Sequence, residues 1–252
     1  MITLGVDLAA QDDATASCYI TWSDGEARVS TPRCPQTDED LIRAVEGADV
    51  AGIDIPLGWP DAFVRAVTGY HAGEAWPNVL PAELCYRATD RHVERRLLDQ
   101  KIRRRPLSVA SDRIAIPAMR AARLMTRLNE ANDPVDRSGG GKLVEAYPAA
   151  ALAIWGLPSR KYKGPKGAEV RAALFAQIQR RTQSWLRLDA LVGRTCCDSD
   201  HALDALVCAL VARAAALRLC ERPPVEHAAA AAREGWIALP PPDALDRLAK
   251  PY

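Results

Sequence analysis

The hydrophobic pattern divides the chain into short apolar runs and longer periodic segments. Residues 2–8 (Ile-Thr-Leu-Gly-Val-Asp-Leu) read as a buried strand. Residues 16–22 and 27–32 read as two more strands, joined by the hairpin signal Ser23-Asp24-Gly25. Thr37 followed by Asp38, Glu39 and Asp40 predicts a capped helix start, and Leu41, Ala44, Val45 and Ala48 supply its apolar stripe. Residues 50–55 form a fourth strand that Pro56 stops. Strand, helix and strand of these lengths imply a right-handed crossover and a parallel pair, hence an α/β fold. Residues 60–135 read as mostly helical and basic, interrupted by Pro77, Pro81, Pro106 and Pro117. They predict a helical insertion or lid at about 60–137, between the fourth and fifth strands. After the joint Ser138–Gly141, a short fifth strand at 142–146 runs to Pro148. Helices are expected at about 148–155 and 167–181, with room for another near 184–192, and a last strong one at about 199–220. Residues 235–239 predict a short closing strand.

At 252 residues, 48% hydrophobic and 26% charged, the chain has a globular composition and fits one domain over 1–252 with its insertion. Disordered and collagen-like classes are excluded. No uncharged run of about 18 apolar residues appears, so no membrane partner is expected. The opening lacks a basic and apolar leader, which makes the expected compartment cytoplasmic. Seven scattered cysteines without a CxxC pair predict reduced thiols, most of them small core residues, and no zinc site. The net charge of +1 excludes a uniformly basic coat for nucleic acid. Its distribution is uneven: residues 1–62 hold 12 acids and 3 bases, whereas residues 86–127 hold 12 bases and 4 acids. The basic segment reads either as a surface that meets an anion or as a solvated arginine-rich face.

Two strands repeat one pattern, Gly5-Val6-Asp7-Leu8 and Gly52-Ile53-Asp54-Ile55. A carboxylate inside an apolar strand is costly unless paired or bound to a cation. If the strands neighbour each other in parallel, about 4.8 Å apart, Asp7 and Asp54 meet at the carboxyl edge, where open α/β sheets bind ligands. The late helix adds Asp200, His201 and Asp204 on the margin of its buried stripe. Asp198 is assigned to the helix cap, and Asp200 could equally be a first-turn acid. Asp204 lies a full turn in, where capping cannot explain it. His201 reads as a ligand, a base or a partly exposed helix residue. Glu145, at the end of the fifth strand, joins this edge or stands there as an exposed acid. Oxygen ligands without cysteine favour Mg²⁺ or Mn²⁺, one or two ions, and chemistry on phosphodiesters.

The segments GVDL at 5–8, IDIPLG at 53–58, RATDR at 87–91, EAYP at 145–148, YKG at 162–164 and DHALDALVCAL at 200–210 together resemble the domain family of unknown function 429, a predicted nuclease family of the RNase H-like superfamily. The resemblance implies a five-stranded mixed sheet in the order 3-2-1-4-5, flanked by helices. It implies metal binding by Asp7 and Asp54, and the spacing of His201 and Asp204 resembles that on the last helix of Holliday-junction resolvases. The chain departs from true RNase H, which has a glutamate on its first helix; Glu39 and Glu46 stand in that region, neither well placed. Arg87 and Asp90 read as a phosphate contact or an internal ion pair. Tyr147 and Lys163 read as site-lining or loop-anchoring. Arg87 and Lys163 are the candidate anion-binding cations.

The leading expectation is a metal-dependent nuclease. Asp7, Asp54, Asp200 and Asp204 would hold the ion, Glu145 or His201 would assist with water, and DNA or RNA would be the substrate. The alternatives are an actin-like nucleotide phosphotransferase or ATPase, and a non-catalytic binding protein with a vestigial acidic site.

Overall fold

The computed structural model describes residues 1–131 and 134–250. The first part of the chain forms β1 (Ile2–Asp7), β2 (Ala16–Ser23), β3 (Glu26–Val29), α1 (Asp38–Glu46) and β4 (Val50–Ile53). Thr37 caps α1 in a reciprocal box with Asp40, and Leu41, Ala44 and Val45 are buried as the stripe predicts. The insertion follows as α2 (Asp61–His71), α3 (Pro81–Cys85), α4 (Ala88–Asp99) and α5 (Ala115–Glu130). Pro81 opens α3 and Pro117 sits in the first turn of α5, where a missing N–H breaks no helical hydrogen bond. Residues 132 and 133, read above as part of the helical insertion, lie outside the described residues. The remainder forms β5 (Leu143–Glu145), α6 (Pro148–Ile154), α7 (Ala168–Thr182), β6 (Leu186–Arg187), α8 (Ala190–Asp198), α9 (Asp200–Ala216) and α10 (Ala228–Glu234).

The sheet is mixed and has six strands, in the order β5-β4-β1-β2-β3-β6. This corrects the expectation of five. The added strand β6 runs parallel to β3, in the stretch that had room for a helix. Trp185 explains the difference. Its ring is buried and stacks on Trp22 with centroids 5.6 Å apart, and its carbonyl accepts from Ala27 N. The chain is thereby held extended until Asp189 caps α8. The closing strand expected at 235–239 is reduced to one bridge, Ile237 to Glu145. There Ile237 N donates instead to Thr89 Oγ1, and the prolines at 240–242 stop further pairing.

Two apolar layers cover the sheet. Leu4, Val6 and Ile53 pack with Leu41 of α1 and Leu124 and Leu128 of α5. The other face packs on α9, whose residues Ala202–Ala214 are all buried. The contact with β1 and β4 is made through glycine. A Cβ on Gly5 would lie 1.9 Å from Ala205 O, and one on Gly52 would lie 2.5 Å from Cys208 O. Neither can be accommodated without shifting helix backbone. We expect Gly52→Ala to cost about 3 kcal/mol or more in chemical denaturation. A loss under 0.5 kcal/mol would show that α9 is not seated on the glycines.

Much of the charge asymmetry is satisfied internally. Arg120 bonds Asp12 and Asp38, Arg123 bonds Asp38, and Arg127 bonds Glu39, so α5 meets acids of the first sixty residues. All seven cysteines are free, and only Cys18, Cys196 and Cys208 are buried, fewer than expected. No helix among the described residues is long and apolar enough to cross a membrane.

Candidate metal centre

Strand parity decides which acids can meet. Val6 pairs with Ile53, and Asp54 N donates to Val6 O at 2.9 Å, so Asp7 and Asp54 leave the sheet edge side by side. Both lie two residues beyond Gly5 and Gly52, on the face that receives α9. Ser199 caps α9 by accepting from Ala202 N. The cap is therefore not Asp198, which ends α8. One turn further on, Asp204 is fully buried against the same edge. Carboxylate oxygens of Asp7, Asp54 and Asp204 all lie within 4.8 Å of one another.

Two cationic side chains and a phenol surround this triad. Lys163 Nζ lies 2.6 Å from Asp204 Oδ2 and 3.9 Å from Asp54 Oδ2. His201 Nδ1 bonds Asp7 Oδ2 at 2.6 Å, and Tyr162 OH donates to Asp204 Oδ1 at 2.7 Å. Lys163, considered above as an anion contact, thus lies against the carboxylates. The loop carrying Tyr162 and Lys163 is fixed by Arg171 of α7. Its guanidinium is buried and donates to the carbonyls of Tyr162, Gly164, Cys197 and Asp198, tying the loop to the entrance of α9.

Burial disfavours charge on the acids. It pushes Asp54 well above the usual carboxylate range, with Asp7, Asp204 and Glu145 adding to the rise against the opposing pull of Lys163. Asp204 is pushed up to about 6 by burial, with Asp7 reinforcing and Lys163 and Tyr162 opposing. Burial alone would lower Lys163, but Asp204, Asp54 and Asp7 outweigh it and hold the ammonium protonated. The hydrogen bond to Asp7 raises His201 and favours its imidazolium form.

Other sequence candidates fall elsewhere. Glu145 pairs with Ile53, one step back from Asp54, so it projects to the opposite face. Its carboxylate accepts from both terminal nitrogens of Arg87, at 2.6 and 2.8 Å, and from Leu57 N. It is therefore committed to holding Arg87 and does not join the triad. Arg87 is only 1% exposed and also bonds Asp90 and the carbonyl of Glu234, which makes it the internal ion pair of its two readings. Asp200 occupies the first turn of α9 and lines the neighbouring cavity, outside the three-carboxylate group. Glu39 is bonded to Arg127 at the surface. Tyr162 and Arg171 had no assigned role in the sequence reading; the YKG segment was the one signal near them.

The donor set suits a hard divalent cation. Asp204 Oδ2 is buried without a properly directed hydrogen bond, although the Lys163 charge is close by. A divalent ion would favour the ionised form of the carboxylates that burial otherwise opposes, and the oxygen-only donor set matches such an ion. Asp7, Asp54 and Asp204 would hold it, and such an ion polarises phosphoryl oxygens and makes bound water more acidic. The chain itself supplies an oriented His201 and a fixed ammonium at Lys163.

The mixed six-stranded sheet flanked by helices defines an α/β protein, with a crevice lined by carboxylates at the carboxyl edge of β1 and β4. More narrowly, the family described as protein of unknown function DUF429 matches residues 5–229, and the chain belongs to it. Comparison with curated proteins and comparison with solved structures each gave no match.

Proposed function

We propose that the protein is a Mg²⁺- or Mn²⁺-dependent nuclease with an RNase H-like carboxylate site. The observation that carries the reading is the convergence of Asp7, Asp54 and Asp204, from two strands and a helix, to oxygen separations within 4.8 Å. That spacing allows one shared coordination sphere. His201, bonded through Nδ1 to Asp7, is the group placed to exchange a proton with water or with a leaving oxygen. Lys163, against Asp204 and Asp54, offsets part of the carboxylate charge.

Calorimetric titration of Mn²⁺ into the wild type and Asp54→Asn tests the first half of this reading. Wild type should bind and the variant should not. Incubation with single-stranded, duplex, hybrid and branched nucleic acid in Mn²⁺ tests the second half. The Lys163–Asp204 contact also favours a second reading, a non-catalytic protein whose site is neutralised by its own lysine. Carboxylate-independent or absent Mn²⁺ binding would select that reading.

A further inference from the structure

The cavity that ends on Asp7 and Asp54, with Asp204 buried behind them, has a volume of about 490 Å³. This is the scale of a cleft that takes one small ligand or a single nucleotide unit. Its floor is the sheet edge, and Pro106, Leu107, Arg113, Ile114 and Pro117 of the segment before and within the first turn of α5 form part of its wall. Much of the lining is apolar, including Leu8, Ile55 and Ile237, and Tyr147 adds an aromatic ring. Arg87 and Arg113 are the cations of the basic segment that line this cavity, and half of the segment's bases are engaged with the chain's own acids. Of its twelve bases, Arg87, Arg96, Arg105, Arg120, Arg123 and Arg127 are paired with carboxylates of the chain itself. Duplex binding depends on many such cations meeting successive phosphates.

Resting on the nuclease reading, we propose that the site admits one terminal nucleotide of a single strand and releases mononucleotides from the end. The base lies against the apolar wall, as flat rings do in single-strand sites. The terminal phosphodiester meets the triad, with Arg113 as a further cation of the wall. In the reaction, a water oxygen bonds to phosphorus and the bond from phosphorus to the adjoining sugar oxygen breaks. The departing sugar oxygen takes one proton. The water's other proton passes to solvent, leaving a phosphate monoester on the freed nucleotide.

The test uses one single-stranded oligonucleotide in linear and covalently circular forms, in DNA and in RNA, with the intact protein and Mn²⁺. The linear strand should be degraded to mononucleotides, and the circle should be cut at least about 100-fold more slowly. Cleavage of the circle at a comparable rate, or early internal fragments from the linear strand, would overturn end selection and leave the nuclease reading standing. Cleavage of neither form by protein that binds Mn²⁺ would overturn both. Leu107→Asp gives a second measurement, since Leu107 is 41% exposed and its replacement spares the core. It should raise KM for the linear strand about tenfold and leave the Mn²⁺ Kd and the melting temperature unchanged. An unchanged KM would remove the apolar wall from substrate recognition.

Discussion

Asp54→Asn should melt about 3 °C higher than the wild type at pH 7 without metal, and should lose both Mn²⁺ binding and Mn²⁺-dependent cleavage. Burial raises the carboxyl groups of Asp54 and Asp204, so the folded state binds more protons than the unfolded one across the window above the ordinary carboxylate range. For Asp204 that window ends at about 6. The sign follows directly: these two groups make stability fall as pH rises through the window. A neutral amide at position 54 removes one contribution. A gain near 1 kcal/mol corresponds to about 2–4 °C in a chain of this size. The gain should vanish near pH 3, where the acid is protonated in both states. Added Mn²⁺ should raise the wild-type melting temperature and leave the variant unmoved, because only the wild type binds the ion in its folded state. Cleavage should fall by roughly 100-fold or more. Differential scanning calorimetry at pH 3 and pH 7, with and without Mn²⁺, reads all the stability outcomes. A variant less stable than wild type at pH 7 would contradict the account of the triad as an electrostatic cost to folding.

Arg87→Met should destabilise the protein by about 3–5 kcal/mol in urea unfolding. Arg87 is sealed from solvent between Asp90 and Glu145, and burial opposes its charge while both carboxylates favour it. Removing the guanidinium leaves two acids buried without their common partner. Methionine keeps much of the volume, so the loss reports charge rather than a cavity. Adding Glu145→Gln should restore part of the stability, because one uncompensated charge disappears while an oxygen remains for Leu57 N. If Arg87 instead served an external phosphate, Arg87→Met would leave the unfolding midpoint within experimental error and weaken anion binding. The same buried knot joins distant segments. Ala88 N and Asp61 N both donate to Glu234, and a Cβ on Gly235, whose φ is 88°, would lie 2.9 Å from Glu145 Oε2. RATDR and EAYP thus frame the crevice, and Glu145 lines it without joining the Asp7, Asp54 and Asp204 group.

The legible part of the site came from regular elements. Asp7 and Asp54 stood out as charges in apolar strands, and Asp204 as an acid past the reach of a cap; periodicity locates such residues because each belongs to a repeating geometry. The α/β class and the parallel β1–β4 pair followed from the same pattern. Glu145 lines the same cavity as Asp7 and Asp54, but its bond to Arg87 and its place outside the three-carboxylate group depend on register and on contacts between distant segments, which no local pattern carries. Lys163 and Tyr162 lie on a loop without periodicity, and their approach to Asp204 depends on Arg171 clamping four carbonyls from two separate segments. β6 was missed because two residues are too short a run to show alternation, and Trp185 makes the strand by its contact with Trp22. The repeated glycines were visible as a motif, but their purpose emerged only with a helix lying on them.

The seating of α9 on Gly5 and Gly52 also has a dynamic meaning. Asp204 and His201 ride on a helix buried throughout Ala202–Ala214, whose main chain lies against the sheet at Gly5 and Gly52. Such an element opens only when the whole core opens, so its amide hydrogens belong to the slowest-exchanging class. Hydrogen exchange is therefore expected to be slowest at the α9 amides around Asp204 and faster in the segment carrying Leu107 and Arg113, which has no regular secondary structure.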